Sequence, residues 1–79
     1  MNYDDEQHFL DLVKGDYMVE VRYLHHDASK EPVFMVSIKE YQESQHRIEV
    51  IAKGYAKEGW EQAFKNAYIK FNQVKGFNA

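Results

Sequence analysis

Trp60, Phe64, Ala67, Phe71 and Val74 recur at steps of four, three, four and three, and this stripe constrains the fold more than any other feature of the chain. The spacing is that of one face of an α-helix. Ala63 and Tyr68 widen it, while Glu61, Gln62, Lys65, Asn66, Lys70 and Gln73 fill the opposite side. The pattern predicts a helix from about Glu58 to Lys75, stopped by Gly76. A single helix of this length is marginal in water, so its apolar face demands a surface to cover.

Three segments with a period of two supply that surface. Tyr17, Val19, Val21 and Tyr23 alternate with Met18, Glu20, Arg22 and Leu24. Phe34, Val36 and Ile38 alternate with Met35, Ser37 and Lys39; Ile48, Val50 and Ala52 alternate with Arg47, Glu49, Ile51 and Lys53. Each reads as a half-buried strand. A polar loop over residues 25–32 separates the first two strands, and Gln42-Glu43-Ser44-Gln45 forms a hairpin connection between the last two. Ahead of them, residues 4–14 read as a short helix. Asp4, Asp5 and Glu6 suit the positive end of its dipole and Lys14 the negative end. Phe9, Leu10, Leu12 and Val13 form its apolar stripe, and Gly15 is expected to end it in the left-handed conformation. The expected architecture is α+β, a two-layer sandwich of order α-β-β-β-α. Both helices lie on one face of a three-stranded antiparallel sheet. It forms a single domain over residues 1–79, with an ordered core of about residues 4–75.

Composition excludes several classes of function. Seventy-nine residues leave no room for a multidomain enzyme, and 44% apolar content places the chain among globular sequences. Cysteine is absent, which removes disulfides, thiol catalysis and cysteine-type zinc sites. No apolar run of about 18 residues occurs, so no membrane span is expected. The opening Met1-Asn2-Tyr3-Asp4-Asp5-Glu6 has the wrong charge for a signal peptide, and a cytoplasmic location is expected. The net charge of −3 is unevenly laid out. Residues 1–20 set Asp4, Asp5, Glu6, Asp11, Asp16 and Glu20 against Lys14 alone. Residues 50–79 set Lys53, Lys57, Lys65, Lys70 and Lys75 against Glu58 and Glu61. The strongly basic footprint of a nucleic-acid binder is missing.

No constellation points to chemistry. His25 and His26 are adjacent, which on an extended chain sends them to opposite faces, and His8 and His46 are remote in sequence. No metal site or cofactor is expected. Ser29, Ser37 and Ser44 lack a nucleophile-elbow context, and no glycine-rich phosphate loop occurs. Paired acids such as Asp4 and Asp5 are explained by the helix dipole. The chain reads as a non-enzyme.

The order of elements resembles the double-stranded RNA-binding domain over roughly residues 5–74. Pro32-Val33-Phe34-Met35-Val36-Ser37-Ile38 is similar to that family's second strand. The segment Gly54-Tyr55-Ala56-Lys57-Glu58-Gly59-Trp60-Glu61-Gln62-Ala63-Phe64-Lys65-Asn66-Ala67 is similar to its glycine-led second helix. The resemblance implies duplex RNA contacts from Lys53, Lys57 and Lys65 near the start of the last helix, and from His25 and His26 in the first loop. Glu58 and Glu61, however, stand where the family carries lysines. A second likeness is to small phage-encoded anti-CRISPR proteins. It rests on Lys14-Gly15-Asp16-Tyr17-Met18-Val19-Glu20-Val21 and Gln62-Ala63-Phe64-Lys65-Asn66. It implies a cysteine-free inhibitor that occupies the DNA site of a nucleic-acid enzyme through an acidic surface.

The expected function is therefore a non-enzymatic protein-binding module, an inhibitor or accessory factor of nucleic-acid machinery. Its contacts would be Asp4, Asp5, Glu6, Asp11 and Asp16 toward a basic groove, with Met35, Ile51 and Tyr55 as apolar anchors on the outer sheet face. If Leu24, Met35, Tyr41, Ile51 and Tyr55 are contiguous there, that face also offers a homodimer surface. Duplex RNA binding through Lys53, Lys57, Lys65, His25 and His26 is the alternative.

Overall fold

A computed structural model of the protein describes residues 3–25 and 32–76. In chain order the elements are α1 (Tyr3–Lys14), β1 (Tyr17–Leu24), β2 (Val33–Gln42), a 3-10 turn (Glu43–Gln45), β3 (Arg47–Ala56) and α2 (Trp60–Lys75). The strands form an antiparallel sheet in the order β1-β2-β3. The architecture is thus α+β, α-β-β-β-α. The loop expected between the first two strands, with His26, falls largely outside the described residues.

Both helices share one face of the sheet. Val36 and Ile38 of β2, Ala52 and Ala56 of β3, Leu12 of α1, and Ala63, Phe64, Ala67 and Phe71 of α2 form one buried cluster. Contacts climb the two helices in step, Lys65 Nζ lying 3.4 Å from Asp5 and, one turn on, His8 stacking on Tyr68 at 4.2 Å between ring centroids; on the core side Phe9 meets Phe64 at 5.9 Å. The helices therefore run side by side in the same direction. At the far end Tyr17 meets Phe71 edge-on, and Lys75 donates a 2.9 Å hydrogen bond to Glu40 Oε2. This fastens the last turn of α2 to the sheet.

Helix α2 lies very close to β3 because the seam between them is made of small residues. A Cβ placed on Gly54 would fall inside the Ala63 carbonyl oxygen and the Ala67 amide nitrogen, and 2.9 Å from the Ala67 Cα. Ala52, Gly54 and Ala56 on the strand thus face Ala63 and Ala67 on the helix, backbone nearly touching backbone. Only glycine fits at position 54.

Several local expectations are corrected. The left-handed residue after α1 is Asp16 (φ 65°), not Gly15; the Gly15 amide donates back to the Asp11 and Leu12 carbonyls. The β2–β3 register slips between Ile38 and Lys39: Ile38 pairs with Ala52, but Lys39 pairs with Val50. The extra residue, Ile51, packs against the core, and beyond it the strand's phase inverts. Ile48 and Val50, expected beside Ala52 on the core face, are turned to the outer face and exposed. Val21 keeps its phase but is exposed, as the core closes around Tyr17 and Val19 instead. Val74, one turn beyond Phe71, is 62% exposed because the stripe there runs past the end of the core. Gly76 does end α2 as expected, in the left-handed region (φ 77°), its amide bonding the Asn72 and Gln73 carbonyls.

Candidate protein-binding surface

Helix α1 turns Asp5, His8, Phe9 and Leu12 toward the body of the protein, which is the i, i+3, i+4, i+7 set of one helical face. Its other side carries the acids. Asp4, Glu6 and Asp11 are exposed, and Asp16 follows just past the helix end. Asp4 and Asp11 stand two turns apart in one row, with Gln7 between them donating a 2.8 Å hydrogen bond to Asp11 Oδ1. Among these acids sit two apolar side chains, Leu10 at 40% and Val13 at 49% exposure, in the same row as Glu6.

Asp5 leaves the expected acidic set. It is only 6% exposed and lies against the Lys65 ammonium. Its charge is spent on holding α1 to α2. Tyr68, in the same seam, has its phenol pKa raised, first by burial and then by the Asp11 carboxylate.

The expected apolar anchors are dispersed. Met35 and Tyr55 are register partners on the outer sheet face, but Met35 is buried between its neighbours and Ile51 has joined the core side. Sequence reading placed Leu10 and Val13 in the core stripe of α1. Leu10 is offset about 100° from Phe9, a signal visible in the sequence, whereas Val13 is one turn from Phe9 and its exposure depends on how far the sheet and α2 cover α1.

The residues of the RNA alternative do not converge. Lys53 pairs with Ser37 and lies on the outer sheet face, whereas Lys65 lies on the helix side beside Asp5. Lys57 occupies the connection between β3 and α2, next to Glu58, and His25 follows the end of β1. His26 is outside the described residues. His8 is committed to the Tyr68 stack, and His46 occupies a left-handed turn position (φ 51°). Among the described residues no three His, Cys, Asp or Glu side chains gather in a metal-holding group. The depressions in the surface are open, such as that of about 390 Å³ between Tyr55 of β3 and Asn66, Ile69, Lys70 and Gln73 of α2.

The outer sheet face carries a second set of exposed groups. Across the strands run three rows: Met18, Lys39 and Val50; Glu20, Ser37 and Lys53; Arg22, Met35 and Tyr55. Glu20 accepts a 3.0 Å hydrogen bond from Lys39 and lies 4.0 Å from Arg22. That bond is the main cause holding the Glu20 carboxyl below its ordinary pKa; desolvation opposes it, and the charges of Lys39, Arg22 and Lys53 add to the lowering. Ser37, at the centre, is 1% exposed, and its Oγ has no hydrogen-bond partner among the described residues.

Comparison with family models, with curated proteins and with solved structures returns no match. What the chain shares with the double-stranded RNA-binding domain is the α-β-β-β-α order and the antiparallel sheet. Among the described residues, no helix is long and apolar enough to cross a membrane.

Proposed function

We propose that the protein is a non-enzymatic binding module that docks the acidic side of α1 into a basic groove of a protein partner. In this reading it acts as an inhibitor or accessory factor of nucleic-acid machinery, in the manner of small phage-encoded anti-CRISPR proteins. The observation that carries the reading is the solvent side of α1, where Asp4 and Asp11 form one exposed row and Glu6 heads a second with exposed Leu10 and Val13. A helix that exposes one row of carboxylates and a second row with an apolar pair suits a groove that normally receives a phosphate backbone, since the acids steer the encounter while the apolar pair contributes desolvation energy. Separation of Lys53 from Lys65 across the sheet favours this reading over duplex RNA, which needs several phosphate contacts from one surface.

The test is capture from a lysate of the source cell, with and without nuclease, by wild type and by an Asp4→Lys/Glu6→Lys/Asp11→Lys variant. The expected result is a nuclease-resistant protein partner that the variant, still folded by circular dichroism, no longer retains. Retention by the charge-reversed variant, or a partner released by nuclease, refutes the reading.

A further inference from the structure

We propose that the open face of the sheet is a homodimer surface, on which a second copy of the chain packs face to face about a two-fold axis parallel to the strands. Among the described residues no helix covers this face. Three rows of side chains cross it. A two-fold axis along β2 sets β1 of one copy over β3 of the other and keeps each row opposite itself. Glu20 then meets Lys53 of the second copy, and Lys53 meets its Glu20. One row along, Arg22 lies over the Tyr55 ring, a cation–π pairing. In the remaining row Met18 lies over Val50, apolar on apolar. All three pairings are complementary, and each occurs twice.

The alternative axis, across the strands, fails on the same residues. Centred on Ser37, it sets Glu20 on Glu20 and Lys53 on Lys53, so like charges oppose at the middle of the contact. Charge therefore selects both the occupant and its orientation. Small Ser37 lies at the centre of the face, where two sheets must approach to about 10 Å. Lys39 would oppose its own copy, but its ammonium is drawn aside to Glu20 at 3.0 Å. The eight paired rows of β1 and β2 extend about 27 Å, and three strands about 14 Å across, a small footprint for an interface. The dimer is accordingly weak and dissociates on dilution.

Sedimentation velocity over a dilution series tests this, with circular dichroism on every variant. Wild type is expected to pass from dimer to monomer on dilution. Lys53→Glu and Glu20→Lys are each expected to be monomeric, and the Glu20→Lys/Lys53→Glu exchange to dimerise again. Val50→Glu changes an exposed side chain with no charged partner to lose, so it reads the interface even if Glu20→Lys weakens the fold; it is expected to be monomeric with an unchanged melting temperature. A wild type that stays monomeric up to millimolar concentration overturns the proposal. So does a dimer indifferent to Lys53→Glu and Val50→Glu, because another surface must then hold it.

Discussion

Replacing Gly54 by alanine adds a single methyl group, and the structure indicates that it should nearly unfold the protein. The added carbon would overlap the Ala63 carbonyl and the Ala67 amide and stand 2.9 Å from the Ala67 Cα. Those atoms are helix backbone and have no rotamer in which to escape. Relief requires α2 to move off β3 by an ångström or so, and the cluster of Ala63, Phe64, Ala67 and Phe71 moves with it. Overpacking typically costs about 1–3 kcal/mol, and a rigid backbone neighbour on both sides puts this site at about 3 kcal/mol or beyond. Marginal stability for 79 residues is roughly 4–12 kcal/mol, so the variant loses a large part of it. The melting temperature should fall by roughly 12–24 °C, read by circular dichroism in parallel with urea unfolding. A Gly54→Ala protein that melts within about 3 °C of wild type would refute the close seam between α2 and β3.

Four further outcomes follow from the same packing. Phe64→Ala empties a fully buried site and should cost about 3–5 kcal/mol in urea unfolding. Gly59→Ser should raise stability by about 0.3 kcal/mol in urea unfolding, since the N-cap of α2 has no side-chain hydrogen bond, an extended backbone and open space around the missing Cβ, and glycine is already a tolerated cap. On the alkaline side, the phenol of Tyr68 and the ammonium of Lys75 both have raised pKa values, from burial and from the Glu40 hydrogen bond respectively. Their stabilisation is complete below the unfolded-state pKa values near 10 and is lost as pH rises through the folded values; Tyr68→Phe should flatten part of that loss in pH-dependent melting. On the acid side, Glu20 has a lowered pKa, chiefly from the Lys39 hydrogen bond, so its contribution is present above the ordinary carboxylate range and lost as pH falls through the folded value. Glu20→Gln should remove that acid-side step.

The order and type of the two helices and three strands were legible in the sequence, because each carries an apolar period over several residues; the 3-10 turn at Glu43–Gln45 has none and reads only as a connection. What the sequence hid was phase. A bulge of one residue at Ile51 cannot be seen in the alternation Ile48, Val50, Ala52, yet it sends the first two side chains to solvent and the third to the core. Gly54 reads in the sequence only as the glycine that leads into the last helix, and its role as the point of closest approach emerges only from the helix lying over it. The acidic front was visible as composition. Its division into Asp5, buried against Lys65, and the exposed Asp4, Glu6 and Asp11 depends on which row of α1 faces α2, and so on tertiary packing.

In the proposed function the acidic side of α1 steers this protein into a basic groove. The most direct test of this steering is the association rate with the captured partner, followed by surface-based kinetics across a range of ionic strength. The rate should fall steeply as salt screens the carboxylates, and the Asp4→Lys/Glu6→Lys/Asp11→Lys variant should associate at a slower, salt-insensitive rate. An association rate unchanged by salt and by the reversal would contradict it.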